Sequence, residues 1–475
     1  MKKVTLIIHG YSDCSESFVK IKKFLQKKKI GTVKTILYAD YESREDNMTF
    51  NDVIDGLNDE LIKNKIIDQN GKKLCDLNVI VHSTGGLVIR HWIWRYYYKD
   101  GNRINECPVR RLIMLAPANF GSPLAHRGKS FLGHIFKGRW KIGDFLEVGK
   151  RLLYGLELGS PYQWNLAHRD IIIKKPYYNS TQIQTTILVG IDDYEGLRGW
   201  VNKPGTDGTV VIAGTSLDSA KLVLDFSKPR DKRLNYKPYN WTITNPSDDF
   251  AFGVLEGLDH GSIVEQISEK SEVGELLVKA LKIKDKNGFK KYSKDLKVIT
   301  QETYKNSGKS KYQQFIIHAV DDHGVSVKDY TIEFFISKVS RSILGNILNK
   351  IRFSIQEKEL TKEANKIMTG QFHTHTKDSS YRRFLVNLEE IKSHLKKAQN
   401  ELKSEVILSM RVYVPRVDKG IKYELKTLQN IVIYDPNQKR TNLPLFFWSN
   451  TTTLIELRVN RINEYVTVGI KPKNH

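Results

Sequence analysis

Residues 78–98 read NVIVHSTGGLVIRHWIWRYYY, and this stretch decides the fold. Asn78 to His82 is an apolar run of strand length, and Ser83-Thr84 makes a sharp corner after it. From Gly85 onward Leu87, Ile89, Trp92, Ile93 and Tyr96 recur near helical spacing, so a helix follows the corner. A serine caught between a strand and a helix stands at the end of a sheet, over helix N–H groups that have no acceptor within their own helix. The positive end of the helix dipole points at whatever reacts there. Such a turn needs small neighbours, and Gly85 and Gly86 supply them on the C-terminal side.

The same rhythm extends on both sides. Val4 to Ile8 is an apolar run of strand length that ends in His9-Gly10-Tyr11. Phe18, Ile21, Phe24 and Leu25 mark a helix over Ser15 to Lys28, with lysines on its other face. Thr32 to Ala39 reads as a strand, Val53 to Ile67 as a helix and Leu77 to His82 as the third strand, which carries Ser83. Val109 to Leu115 and Thr185 to Ile191 read as further strands. Strands alternating with helices imply a mostly parallel sheet covered on both faces.

With its corner serine in Val81-His82-Ser83-Thr84-Gly85, the chain resembles the serine lipases and esterases of the α/β-hydrolase superfamily, in particular the bacterial lipase and GPI-inositol-deacylase-like branch. The usual pattern is G-x-S-x-G, and here Val81 stands where the first glycine is expected. A histidine just before the serine is common in the lipase branch. The tail Ala116-Pro117-Ala118-Asn119-Phe120-Gly121-Ser122-Pro123-Leu124-Ala125 matches a string found after the next strand in those enzymes. Ser122 reads as structural, because no strand feeds it and no elbow surrounds it.

The resemblance covers the first three-fifths of the chain and implies a catalytic triad in the order Ser, Asp, His. Ser83 is the implied nucleophile. Asp207, in Gly205-Thr206-Asp207-Gly208-Thr209-Val210, is the implied acid, with Asp193 as runner-up. Of 13 histidines, His260, in Gly257-Leu258-Asp259-His260-Gly261-Ser262-Ile263, stands where the base is expected, before a helix over Ile263 to Leu281. The backbone N–H groups of Tyr11 and Thr84 are the implied oxyanion donors. Residues 127–173, which mix aromatics with lysine and arginine, are expected to form a lid. No cofactor and no metal are expected.

The remainder is different in kind. Lys282 to Lys311 is lysine-rich and breaks the pattern, so residues 286–311 are expected to be a linker between a catalytic domain, 1–285, and an accessory domain, 312–475. Beyond it Tyr312 to Ala319, Tyr330 to Ile336, Met368 to Thr374, Arg383 to Leu388, Val406 to Val414, Ile431 to Tyr434, Thr453 to Val459 and Tyr465 to Ile470 read as strands. Asp321 to Gly324 reads as a hairpin turn and Glu389 to Leu402 as a helix, which together suggest a mainly-β, sandwich-like domain. His373 and His375 share a strand face near Asp378, but two histidines without a firm third ligand read as a polar face.

Composition narrows the class. The net charge is +23, and residues 286–475 hold 34 Lys+Arg against 19 Asp+Glu, or +15. An anionic membrane surface is the expected partner of that basic part, and the scatter of its lysines argues against a dedicated nucleic-acid groove. Three cysteines, Cys14, Cys75 and Cys107, give no disulfide framework and suit a reducing compartment. No apolar run reaches the roughly 18 residues of a membrane span, and the apolar start is too short for a signal peptide. A cytoplasmic enzyme, peripheral on the membrane, is therefore expected to cleave carboxylic esters, lipid or phospholipid esters first among them. An acyltransferase with the same triad and a non-catalytic binding protein of the same fold are the alternatives.

Overall fold

The computed structural model describes residues 3–8, 15–36, 47–125, 150–194, 203–226, 241–244, 249–339, 354–415, 417–418, 421–423, 431–437 and 446–462. The chain divides into two compact units: 1–220 with 245–314 and 449–452, and 221–244 with 315–448 and 453–475.

The first unit has the α/β-hydrolase fold. Its strands are β1 (Lys3–Ile8), β2 (Thr32–Ile36), β3 (Asp76–His82), β4 (Val109–Leu115), β5 (Gln184–Gly190) and β8 (Ala251–Leu255), in the order β2-β1-β3-β4-β5-β8. Every pairing is parallel. The two remaining strands in chain order, β6 (Ser219–Asp225) and β7 (Trp241–Thr244), join a different sheet. β3 lies between β1 and β4, and its Leu77, Val79, Ile80 and Val81 have no exposed surface. A strand covered on both faces reads as an unbroken apolar run, which is why Asn78 to His82 shows no alternation.

Helices α1 (Ser15–Lys27), α2 (Phe50–Lys63) and α3 (Gly85–Tyr97) connect these strands. α2 begins three residues before the expected Val53, because Thr49 caps it: the Thr49 Oγ1 accepts the Asp52 N–H, and the Asp52 carboxylate accepts the Thr49 N–H. The helix expected over Ile263 to Leu281 is broken in two, Ser262–Glu265 and Glu272–Lys282, with Ser271 capping the second piece.

The linker expected over 286–311 is instead a 22-residue helix, Lys286–Ser307, that belongs to the first unit. It buries Phe289, Tyr292, Leu296, Thr303 and Tyr304 and leaves its lysines outside. β8 is an edge strand, and this helix covers its open side. The Thr300 Oγ1 accepts the Val254 N–H at 3.0 Å, and the Thr303 hydroxyl donates to the Val254 carbonyl at 2.9 Å. Lysines hid a helix that the spacing of Phe289, Tyr292 and Leu296 already carried.

A polar cluster lies inside this unit. Arg90 on α3 and Asp170, at the end of the helix Pro161–Asp170, have no exposed surface and meet face to face, Nε–Oδ2 2.8 Å and Nη2–Oδ1 2.9 Å. Nearby, the His91 Nδ1 lies 3.0 Å from the Tyr162 hydroxyl. Burial, reinforced by Arg169 and Arg95, lowers the His91 pKa to about 4. The unfolded chain takes up this proton near the ordinary value of about 6.5, so the folded state binds fewer protons between those limits. His91 therefore contributes stability that is present above about pH 6.5 and is lost as the pH falls towards 4, by about 3 kcal/mol in all. His91→Gln is expected to flatten the fall in melting temperature between pH 7 and pH 4.5; an unchanged slope would show that the proton is taken up elsewhere.

The second unit is built on two sheets, β10-β13-β16 and β11-β12-β9-β17-β6-β7. Their strands are β9 (Tyr312–Asp321), β10 (Thr331–Lys338), β11 (Phe372–Thr374), β12 (Tyr381–Asn387), β13 (Val406–Tyr413), β16 (Ile431–Tyr434) and β17 (Thr452–Val459), with β6 and β7. Two-residue strands β14 (Val417–Asp418) and β15 (Ile421–Lys422) pair separately. β10-β13-β16 is antiparallel throughout, as are the pairs β11–β12 and β6–β7.

The expected strands are largely present, and two 15-residue helices share the core with them: Ile355–Thr369, where no helix was expected, and Leu388–Leu402, close to the expected Glu389 to Leu402. Phe315, Phe334, Leu360, Leu395, Met410 and Leu457 pack there together. The first helix replaces the start of the strand expected at Met368, and a strand resumes only at Phe372. The Asp321 turn forms as expected, its Oδ1 accepting the N–H groups of His323 and Val325. The strand expected over 465–470 lies outside the described residues.

Candidate active site

The corner after β3 is strained in the way its sequence requires. Ser83 has φ +52°, a conformation that costs a non-glycine residue about 1–2 kcal/mol. Hydrogen bonds on both sides hold it there: the Ser83 N–H donates to the Leu115 carbonyl at 3.1 Å, and the Ser83 carbonyl accepts from Ala118 at 3.0 Å and Gly86 at 3.2 Å. The next residue, Thr84, has helical dihedrals and stands at the N-terminal boundary of α3.

Val81, where the first glycine of the pattern is missing, does not disturb the turn. It is paired with Ile8 on β1 and Met114 on β4 and is fully buried. The intolerant position is Gly86. A Cβ there would stand 2.9 Å from the Pro117 Cβ and 3.1 Å from the Asn119 Oδ1. Gly86→Ala is expected to cost about 1–3 kcal/mol by overpacking and to displace the corner. Urea unfolding checks the first effect; a wild-type midpoint would show that the loop after β4 yields freely.

Three side chains from distant parts of the sequence converge at this corner. The Ser83 hydroxyl donates to the His260 Nε2 across 3.2 Å, and the His260 Nδ1–H donates to the Asp207 Oδ2 across 2.9 Å. Asp207 is fully buried, and its other oxygen accepts the N–H groups of Thr209 at 3.0 Å and Val210 at 2.8 Å. Those two donors supply the hydrogen bonds that a carboxylate withdrawn from water needs. The two main chains are tied as well: the His260 N–H donates to the Asp207 carbonyl at 2.9 Å.

Each loop carrying a member of this chain is itself fixed. The Asp259 Oδ1 accepts the N–H groups of Gly261 and Ser262, at 2.8 and 2.7 Å, while the Ser262 hydroxyl accepts the Asp259 N–H at 2.7 Å. This reciprocal clasp encloses His260. The Ser122 hydroxyl donates to the Thr209 carbonyl at 2.6 Å, so this second serine steadies the acid loop. Gly208 has φ +91°, and a Cβ on it would lie 2.7 Å from the Tyr194 ring, so the turn after Asp207 needs glycine twice over.

The other acid considered is engaged elsewhere: the Asp193 Oδ2 lies 3.2 Å from the Lys309 Nζ, and the neighbouring Asp192 accepts the Gly257 N–H at 2.6 Å. Tyr11, the first expected oxyanion donor, lies outside the described residues, as do positions 127–149 of the expected lid. Its positions 150–173 include the helices Lys150–Leu156 and Pro161–Asp170. Among the described residues no group of three or more His, Cys, Asp or Glu could hold a metal ion. His375 serves a turn, its Nδ1 facing the N–H groups of Lys377 and Asp378.

Chemically, the arrangement can deprotonate a serine hydroxyl as it attacks a carbonyl carbon and return the proton to a leaving group. Ser122 is structural, as its sequence context implies; the clasp of Asp259 with Ser262 is new to the structure, although an aspartate two residues before a glycine is a recognisable turn signal.

No family model matches the chain, and no curated protein matches it in sequence. Its fold is similar to that of phospholipase PlaB from Legionella pneumophila in complex with thio-NAD, with TM-score 0.75 and 20% identity over 99% of this chain and 98% of that one. A second structure of phospholipase PlaB gives TM-score 0.73 and 21% identity over the same shares. Lipase BlEst2 from Bacillus licheniformis covers 56% of this chain, at TM-score 0.34.

Proposed function

We propose that the chain is a serine hydrolase of carboxylic esters that acts through an acyl-enzyme on Ser83. The observation that carries this reading is the unbroken hydrogen-bonded chain from Ser83 through His260 to Asp207. In the first half-reaction the Ser83 Oγ bonds to the ester carbonyl carbon and its proton passes to the His260 Nε2. Asp207 holds the Nδ1–H tautomer and stabilises the imidazolium. The oxyanion is expected to accept the Thr84 N–H, and Tyr11, outside the described residues, is the second donor that the resemblance implies. The C–O bond to the alcohol then breaks, and His260 returns the proton to the departing oxygen. Water, deprotonated by His260, releases the acid in the second half-reaction.

Lipid esters are the proposed substrate class, with phospholipids foremost. The two structures reported above that cover 99% of this chain are both of phospholipase PlaB. Fatty-acid release from phospholipid vesicles, beside p-nitrophenyl esters of rising chain length, tests this. Phospholipid cleavage with a long-chain optimum is expected, and cleavage of short esters alone would make the enzyme an esterase. No cleavage of any ester by the wild type would remove the reading.

Peripheral contact with an anionic membrane is proposed from the +23 net charge. No described helix is long and apolar enough to cross a membrane. The full chain is expected to float with vesicles containing phosphatidylserine at low salt and to detach at high salt. Equal flotation with neutral vesicles would assign the contact to apolar residues instead.

A further inference from the structure

The residue before Ser83 makes a contact that none of the triad roles requires. His82 is the last residue of β3 and is almost fully buried. Its Nε2 lies 3.0 Å from the His260 main-chain carbonyl. A carbonyl can only accept, so His82 carries its proton on Nε2 and donates it there. The two imidazole rings lie 4.7 Å apart, centroid to centroid.

The His260 residue is therefore held at four points by the other two loops. Its N–H donates to the Asp207 carbonyl, its Nδ1–H to the Asp207 carboxylate, and its Nε2 accepts from Ser83. The fourth point is the carbonyl, and His82 is the group that binds it. Because His82 is joined directly to Ser83, this one bond couples the position of the nucleophile to that of the base. A shift in either loop stretches it. Asp207 fixes the His260 ring from the acid side; nothing else described above fixes its main chain from the nucleophile side.

We propose that His82 is a positioning residue for the reaction: its Nε2–H sets the distance between the Ser83 hydroxyl and the His260 imidazole. This rests on the reading of Ser83, Asp207 and His260 as a triad. Removing the donor leaves the substrate site as it was and loosens only the proton-transfer geometry. Misplacement of reacting groups by about 1 Å costs on the order of 100-fold, so His82→Leu is expected to lower kcat by about 10- to 100-fold with KM unchanged. The amide N–H of His82→Gln can reach the same carbonyl, and this variant is expected to recover kcat to within a few-fold of wild type.

Steady-state kinetics on a p-nitrophenyl ester, with circular dichroism as a check on folding, decides the kinetic part. Equal kcat in wild type and folded His82→Leu would overturn the proposal, as would a His82→Gln enzyme no better than His82→Leu. A purely structural role would lower the melting temperature and leave the kcat of the folded fraction alone. Nitrogen-15 correlation spectra of the wild-type imidazoles supply a readout that needs neither activity nor a variant. They are expected to show His82 with its proton on Nε2 and that proton slow to exchange. A His82 protonated only on Nδ1 would overturn the proposal even in an inactive enzyme, whereas an inactive wild type with the expected spectrum would count against the hydrolase reading alone.

Discussion

His260→Ala is expected to lower kcat for any ester substrate by about 10⁴- to 10⁶-fold while the protein remains folded. The size follows from the geometry. A serine hydroxyl is a poor nucleophile at neutral pH, and the His260 Nε2, 3.2 Å from the Ser83 Oγ, is the base placed to take its proton. The same nitrogen must also protonate the leaving alcohol, so one substitution disables both proton transfers. Adding Ser83→Ala to His260→Ala is expected to cost little more, because the two groups act as a unit. Asp207→Asn should cost about 10⁴-fold: the amide can still accept from Thr209 and Val210, but it favours the wrong imidazole tautomer. Single-turnover and steady-state rates on a p-nitrophenyl ester check all three. Additive losses would mean that the side chains act separately, contrary to the hydrogen-bonded chain.

The second large effect is on stability. Arg90 and Asp170 are both fully buried, and the pair is bidentate. The Arg90 Nη1 also reaches the Asn119 carbonyl and Oδ1, at 3.3 and 3.2 Å, and the Tyr178 hydroxyl donates to the Asp170 Oδ2 at 3.2 Å. The pair thus ties α3, the loop after β4 and the helix Pro161–Asp170 together. Arg90→Met leaves a carboxylate in the interior with no cation, and Asp170→Asn leaves a guanidinium with no anion. Each is expected to cost about 3–5 kcal/mol. The double variant Arg90→Met, Asp170→Leu should cost well under the sum, because it leaves no charge buried alone. Urea unfolding followed by tryptophan fluorescence measures the cycle. Additive costs would mean that the two charges do not depend on each other.

What the sequence carried and what it hid divide along physical lines. The strand-corner-helix at Ser83 was legible because both periodicities are local and the corner lies between them. Asp207 and His260 were legible through short strings around them, and the folded chain brings both to Ser83. Val81, where the first glycine of the pattern is missing, belongs to the strand, whereas the steric limit falls on Gly86.

The helix Ile355–Thr369 carries its own local signal. Ser354 and Glu357 form a capping box, and Leu360, Ala364, Ile367 and Met368 follow at helical spacing. Lys286–Ser307 is lysine-rich in composition but helical in period, and the buried Phe289, Tyr292 and Leu296 decide its structure. Arg90 with Asp170 was not legible at all, since the partners are 80 residues apart and nothing local links them. Nor does any local signal tell that β6 leaves the first sheet for the second.

The claim that Ser83 is an activated nucleophile is tested most directly by covalent capture. Wild type and Ser83→Ala are incubated with a fluorophosphonate, with and without detergent micelles, and digested for peptide mass spectrometry. One phosphonyl adduct on Ser83 is expected in the wild type, and none in Ser83→Ala. An adduct on another residue, or a folded wild type that takes up no label with or without detergent, would contradict the account.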